Sequence, residues 1–246
     1  MPERHLILEG GFNVRDLGDY PTQDGRVTQW KTLIRAGNLD KISPAAQQQL
    51  VDYGLKTIID LRDEWEVESY PNPFIQSDHV SYVNLPLIGN ALADSDAWKS
   101  EKGSYTEVHE LYARYLTHCQ PQIGAIIEAL ADSENCTLFH CHAGKDRTGI
   151  IAALVLGAVG VSNVVVAQDY ALSEDQIMHL REEWREYAME HGQDMARFER
   201  LHAAKPHTIL TMLSALKEHY GDVAGYLASC GVSQSQIERL QVRFVG

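Results

Sequence analysis

Apolar positions along this chain follow two different periods, and the change from one to the other marks out the elements. Short runs rich in β-branched and aromatic residues predict strands at 55–62 and 136–139, with a further alternating strand at 79–86. Val108, Leu111, Tyr112, Tyr115 and Leu116 recur at helical spacing, as do Ile123, Ile126, Ile127 and Leu130, which predicts helices at 105–119 and 122–132. Ser43 followed by Pro44 opens a helix that Gly54 closes. The Asp24-Gly25 turn precedes a hairpin strand at 26–35. Residues 10–20 read as a polar, glycine-rich loop, 64–73 as an acidic connection and 88–104 as a surface excursion. Beyond the aliphatic run 150–157, Ser162 caps a helix to about 172, and Ser173-x-x-Gln176 reads as a capping box for the next. Two amphipathic helices then fill 177–201 around Gly192, and the chain stays helical past Pro206, with turns at Gly221 and Gly231 and a capping box at Ser233-x-x-Gln236. Helices alternating with buried strands predict an α/β fold: a central, mostly parallel sheet with helices on both faces and a helix-rich C-terminal half. With no internal repeat and no sharp shift in composition, residues 1–246 read as one domain.

Composition narrows the function. A formal net charge of −13 over 246 residues argues against a nucleic-acid binder or a membrane-surface binder, since both need clustered Lys and Arg. Any attraction for anions must therefore be local. No apolar run approaches the ~18 residues of a membrane span, and the acidic stretch 1–9 does not read as a signal peptide. Four cysteines without a C-x-x-C pair or metal-like spacing to histidine fit a reduced, cytoplasmic protein that holds no metal and no cofactor.

The chemistry concentrates at His140-Cys141-His142-Ala143-Gly144-Lys145-Asp146-Arg147-Thr148-Gly149, between an apolar strand and an aliphatic helix. A tight loop there can close its N–H groups, from His142 through Ala143, Gly144, Lys145 and Asp146 to Arg147, around an anion, with the helix N-terminus and the Arg147 guanidinium adding positive potential. The same field favours Cys141 as a thiolate nucleophile. Such a cradle suits hydrolysis of a phosphate ester: Cys141 attacks phosphorus, Arg147 and the amides stabilise the oxygens, Thr148 hydrogen-bonds the thiolate, and a carboxylic acid protonates the leaving group. No metal is needed for this. Cys and Arg at this spacing arise often by chance, and the bland alternative is an inert buried thiol; the Lys-Asp-Arg beside it argues against that. Asp60, at a strand end, is a candidate acid, or else it fixes Arg62 or the loop backbone. His140 and His142 alternate in direction and cannot both face one ligand, so His140 is expected to bond the loop backbone. Lys145 either meets a second anionic group or is simply solvated.

These residues also carry a resemblance. The 140–149 loop resembles the signature of the cysteine-dependent tyrosine and dual-specificity phosphatases, specifically the bacterial and fungal branch with H-C-x-x-G-K-D-R-T-G. Asn13-Val14-Arg15-Asp16-Leu17-Gly18 is similar to that branch's N-F-R-D-L-G, Ile34-Arg35-Ala36-Gly37 to its Y-R-S-G, Ile59-Asp60-Leu61-Arg62 to its I-D-L-R, and Asp169-Tyr170-Ala171-Leu172-Ser173 to its D-Y-x-x-S. The likeness spans about 10–175, with a looser match over 220–240; Val14 replaces an aromatic residue and Asp19 a glycine. It implies a phosphatase with broad specificity acting on phosphorylated protein, peptide or phosphoinositide, with phosphate or another oxyanion in the loop. By the same resemblance Asp146 is the general acid, with Asp60 its rival, and there is no Trp-Pro-Asp loop. Arg15 and Asp16 are implied supports for the loop, where the residues alone allow a surface ion pair. Lys145 goes with phosphoinositide activity, and about 174–204 is either ordinary core or a helical cover over the pocket. A phosphate-binding module without turnover is the first competitor, but it could dispense with the thiol. Sulfur transfer or arsenate reduction on a similar loop is the second; it would want a resolving thiol, and Cys136 lies on the same strand.

Overall fold

Leu138 and Phe139 are neighbours on one strand, so their side chains leave opposite faces of the sheet, and both are fully buried. The sheet therefore needs cover on both sides. The computed structural model describes residues 3–89, 93, 95–100, 105–133 and 135–246. Its strands are β1 (Arg15–Asp16), β2 (Leu33–Ala36), β3 (Leu55–Asp60), β4 (Ser81–Asn84) and β5 (Cys136–His140), arranged in the order β1-β2-β5-β3-β4. All neighbours run parallel except β1, which is antiparallel to β2. Ala36 and Asp60 both pair with His140, so β2, β3 and β5 end in one row. Cys141 thus leaves the central strand at the carboxyl edge, with loops arriving from both sides.

The helices are α1 (Pro44–Tyr53), α2 (Glu64–Ser69), α3 (Asp96–Ser100), α4 (Val108–His118), α5 (Gln120–Asp132), α6 (Asp146–Ala158), α7 (Asn163–Ala171), α8 (Ser173–Gln176), α9 (Met178–Glu190), α10 (Met195–His202), α11 (Pro206–Tyr220), α12 (Val223–Ser229) and α13 (Gln234–Phe244). On one face Ala46 and Leu50 of α1 pack with Leu8 over Ile34, Ile58 and Leu138. On the other, α4, α5, α6, α7 and α11 to α13 enclose Leu33, Ile59 and Phe139. Helix α6 sits at the centre of that layer and is buried almost all round, as its unbroken run Ile150 to Leu156 requires. No helix among the described residues is long and apolar enough to cross a membrane.

Several boundaries follow local chemistry closely. Ser43 caps α1 through Ala46 N–H, and Gly54 closes it at φ 119°. Ser233 and Gln236 form the capping box of α13. Other expectations are corrected. The hairpin strand read over 26–35 is confined to β2, because Lys31 takes a left-handed φ of 58° and gives its N–H to Asp16. The 10–20 stretch, read as a loop outside the core, is partly core: Asn13, Arg15 and Asp16 are wholly buried, and β1 lies within it. The 64–73 connection contains α2, started by a reciprocal capping box between Asp63 and Glu66. Ser173 caps nothing; it is buried inside α8 and accepts from Arg15 Nη2 at 3.2 Å. Of the surface excursion read at 88–104, Asp96–Ser100 is helical, and 90–92, 94 and 101–104 lie outside the described residues.

The stripe at 177–201 is partly buried: Ile177 and Phe198 are buried, Leu180, Trp184, Met195 and Leu201 half-buried, and Tyr187 and His191 exposed, with Ala188 the one buried residue of α9. Charge fixes α9 and α10 instead: Arg181 bridges Glu174 at 2.6 Å and Glu199 at 2.7 Å, and Lys205 reaches Glu174 at 3.2 Å.

Candidate active site

Residues 141–145 connect β5 to α6, and each of their carbonyls is held from outside the loop. His140 Nδ1 bonds Cys141 O at 3.1 Å, Asn38 N–H bonds His142 O at 2.8 Å, Asn13 Nδ2 bonds Ala143 O at 3.0 Å, Arg35 Nη2 bonds Gly144 O at 2.7 Å, and Gly149 N–H bonds Lys145 O at 2.9 Å. The N–H groups from His142 to Arg147 meet no protein acceptor among the described residues. A ring of unspent donors at a helix N-terminus is an anion site. Gly144 makes the curvature possible: it has φ 69°, and a Cβ there would lie 2.5 Å from Ala36 O.

Two buried carboxylates stand behind the loop, one on each side. Asp169 is bonded by Arg15 Nε at 2.9 Å, Arg35 Nη1 at 2.6 Å and Tyr20 Oη at 2.8 Å. Burial alone would raise its pKa, but the two guanidiniums outweigh that and hold Asp169 well below the usual carboxylate range. Arg15 also fixes Asn13 Oδ1 at 2.5 Å, so both arginines act on the loop: Arg35 directly and Arg15 through Asn13. On the other side Asp60 binds Arg62 Nη2 at 2.6 Å and Tyr82 Oη at 2.8 Å, and Arg62 in turn donates to Asn38 Oδ1 at 2.9 Å.

These contacts place each residue singled out from the sequence. Asp60 is fully buried and does not line the cleft over Cys141, so it occupies the position of a support for Arg62 and, through Asn38, for His142 O. His140 is buried, and burial lowers its pKa against the pull of Asp60. Its ring is fixed at both nitrogens: Nδ1 lies 3.1 Å from Cys141 O, and Nε2 lies 3.0 Å from Asn72 Nδ2 and 3.4 Å from Asp60 Oδ2. Arg15 and Asp16 are no surface pair: Arg15 serves Asp169, whereas Asp16 accepts from Gly18 N–H, Lys31 N–H and Tyr53 Oη, away from the loop. Lys145 is not solvated. It is 2% exposed, and its Nζ donates to Leu201 O at 3.0 Å and Ala203 O at 3.4 Å, tying the loop to the end of α10.

Cys141, His142, Ala143, Asp146 and Arg147 line one cleft of about 440 Å³, rimmed by Trp65, Tyr70, Tyr115 and Trp184. Arg147 spends its Nη1 and Nη2 on the Glu66 carboxylate at 2.5 and 2.8 Å, which leaves its Nε edge for another partner. Burial works against the charge of Arg147, but Glu66 and the Cys141 sulfur hold its pKa above the ordinary guanidinium value. Burial likewise opposes the charge of Glu66, and the Arg147 hydrogen bonds outweigh it, leaving that acid below the usual carboxylate range. His142 packs edge-on to Tyr70, and burial lowers its pKa. Thr148 is buried at the start of α6 with its Oγ1 unpartnered among the described residues, available to a sulfur or an oxyanion. Asp146 accepts from Tyr112 Oη at 2.8 Å. By contrast, burial pushes the thiols of Cys119 and Cys136 up to about 12. Cys136 begins the strand that Cys141 follows, five residues or about 16 Å away, so it cannot resolve a disulfide with Cys141 in this fold.

Glu66, Tyr112 and Asn38 escaped the sequence reading. The Asp63-x-x-Glu66 spacing was a usable signal for Glu66, since a capping box placed a helix opposite the strand end. Tyr112 was read as one member of an apolar stripe, and nothing in the spacing separates a core tyrosine from one whose hydroxyl reaches a carboxylate.

The model of the tyrosine phosphatase family matches residues 6–246. A tyrosine-protein phosphatase of Nostoc commune is 32% identical over 220 residues, covering 85% of this chain and 73% of that protein. The triple specificity protein phosphatase PtpB of Mycobacterium tuberculosis is 27% identical over 281 residues, covering 97% and 98%. Among solved structures, Pseudomonas aeruginosa TpbA in complex with phosphotyrosine aligns at a TM-score of 0.37 and 14% identity, covering 76% of this chain and 89% of that one.

The Asp169 cluster generates a stability prediction. Asp169→Asn leaves Arg15 and Arg35 buried without a counter-charge and should cost about 3–5 kcal/mol at neutral pH in urea unfolding. Because the folded-state pKa of Asp169 is depressed, its contribution is complete above about pH 4 and is lost as pH falls below that. The gap between wild type and variant should therefore narrow by about 1 kcal/mol between pH 5 and pH 3. A gap that stays constant across that range contradicts the assignment.

Proposed function

The chain belongs to the tyrosine phosphatase family and is a protein-tyrosine phosphatase working through a cysteinyl-phosphate, and on that premise we propose how its residues divide the reaction. Cys141 attacks phosphorus in line, and the bond to the leaving oxygen breaks as the S–P bond forms. The N–H groups of His142 to Arg147 and the Nε edge of Arg147 bind the equatorial oxygens. Asp146, on the cleft wall, gives its proton to the leaving oxygen; it then takes one from the water that hydrolyses the cysteinyl-phosphate and restores the thiolate. Thr148 Oγ1 stabilises that sulfur as the leaving group. Asp60, Arg62, Asn38, Asp169, Arg35, Arg15, Asn13 and His140 position the loop and do not touch substrate.

One observation carries this reading above the others: all five loop carbonyls are bonded to groups outside the loop, which leaves the loop N–H groups unspent beside the cleft that Cys141, His142, Ala143, Asp146 and Arg147 line. The aromatic rim of Trp65, Tyr70 and Trp184 suits an aryl phosphate on a peptide, so phosphotyrosine is the leading substrate. The triple specificity of the Mycobacterium tuberculosis relative supports a substrate range wider than phosphotyrosine. Phosphoinositide hydrolysis loses the support of Lys145, whose ammonium is buried on backbone carbonyls. We treat 1–246 as one domain, with α9 and α10 as a cover over the cleft that contributes Trp184 to its rim. Four free thiols suit a reducing, cytoplasmic setting.

Wild type should hydrolyse para-nitrophenyl phosphate and a phosphotyrosine peptide with a chelator present. Cys141→Ser should lose roughly three orders of magnitude or more in kcat. Arg147→Lys, which cannot offer a planar fork, should lose about a hundredfold. An inactive wild type, or an active Cys141→Ser, contradicts the assignment.

A further inference from the structure

Asp146 is held by only one of its two oxygens. Its Oδ1 accepts from Tyr112 Oη at 2.8 Å and lies 3.3 Å from Lys145 Nζ. Its Oδ2 meets no donor among the described residues, on a side chain 32% exposed to the cleft. Tyr112 is itself fully buried and bonded to Tyr170 Oη at 2.8 Å. The direction of these bonds follows from valence. With Asp146 ionised, Oδ1 can only accept, so the single Tyr112 hydroxyl proton points at Oδ1 and Tyr170 donates to the Tyr112 oxygen; with the acid proton on Oδ2, the Oδ1 carbonyl keeps the same bond.

We infer that Tyr112 is the positioning residue of the general acid: with Tyr170 behind it, it reserves Oδ1 as an acceptor and so directs the transferable proton to Oδ2, the oxygen facing the cleft. The inference rests on Asp146 being the acid. Burial, with Asp146 close by, raises the pKa of Tyr112 well above its usual value, so the phenol stays a donor across the working pH range. The two rings meet edge to face at 6.2 Å, and Tyr170 lies against the Gly149 backbone, where a Cβ would meet its ring at 2.9 Å. The phenol pair is thus locked against α6, on whose first turn Asp146 sits. A free aspartate at a helix N-terminus would swing to bond the N–H groups of that first turn; here the fixed phenol competes for one of its oxygens. During turnover the proton leaves Oδ2 for the leaving oxygen, and the ionised carboxylate keeps its Tyr112 bond. The next proton, from the attacking water, returns to Oδ2.

The test compares one substrate with a good leaving group, para-nitrophenyl phosphate, and one with a poor one, phenyl phosphate. A displaced acid costs more when the leaving oxygen needs its proton. In Tyr112→Phe, kcat/KM on phenyl phosphate, which reports the step that expels the leaving oxygen, should fall about tenfold further than on para-nitrophenyl phosphate, while orthovanadate affinity stays within about twofold, since the oxyanion cradle is untouched. Tyr170→Phe keeps the Tyr112 bond to Asp146 and should show a weaker effect in the same direction. It also carries the test if Tyr112→Phe does not fold. Asp146→Asn sets the scale, with the steepest dependence on leaving group. Equal losses on both substrates in the tyrosine variants, beside a steep Asp146→Asn, overturn the role of Tyr112 and leave the acid in place. A flat Asp146→Asn overturns both.

Discussion

A loop can present its N–H groups to an anion only if its carbonyls are satisfied somewhere else, and most of this structure near the cleft serves that requirement. A buried carbonyl without a donor costs about 1–3 kcal/mol, and residues 141–145 carry five of them. Five donors answer, from His140, Asn38, Asn13, Arg35 and Gly149. They come from the central strand, from β2 and the segments before and after it, and from α6, so the cradle exists only when the sheet is assembled. Buried guanidiniums among the supports need counter-charges, and Asp169 and Asp60 supply them within 3 Å. Each carboxylate sits at an element end whose position the sheet register or the α6–α7 packing sets.

The same requirement accounts for the electrostatics of an acidic protein that binds an acidic group. With a net charge of −13 the long-range field opposes phosphate. Attraction comes instead from amides, a helix N-terminus and one edge of Arg147. Glu66 spends the other edge, which trims the positive charge of the cleft but fixes the plane of the guanidinium. Lys145, the other cation of the loop, is buried on the carbonyls of Leu201 and Ala203 at the end of α10, with Asp146 Oδ1 3.3 Å from its Nζ. The cleft thus depends on geometry more than on accumulated charge, and Cys141 differs from the other thiols by its setting. Burial pushes the Cys119 and Cys136 thiols up to about 12, and neither lines the cleft that Cys141 shares with Arg147.

Local signals made much of this legible. Ser43, Gly54, Ser162 and Ser233 mark helix ends by side-chain and backbone chemistry within a few residues, and the structure follows them. The strand, loop and helix around Cys141 were equally readable, because each step needs a distinct residue type over a short span. What stayed hidden depends on distance in the chain. Asp16 beside Arg15 looked like its partner, but β1 sends the two to different neighbours: Arg15 finds Asp169, 154 residues on. Glu66 looked like part of a charged connection, and its role comes from meeting Arg147 across 81 residues. Asp60 stood as the rival of Asp146, and the register of β3 and β5 places it under the loop, outside the cleft lining. The 177–201 stripe had helical spacing, but spacing does not report how much of the apolar face finds a partner.

The central claim is that Cys141, held at the base of this amide cradle, carries the phosphoryl group between two chemical steps. Rapid acid quench of the enzyme with a phosphorus-labelled phosphotyrosine peptide, followed by mapping of the labelled site, tests it most directly. The account predicts label on the peptide containing Cys141 in wild type and none in Cys141→Ser. Label on His142, or turnover with no labelled protein at any quench time and pH, would contradict it.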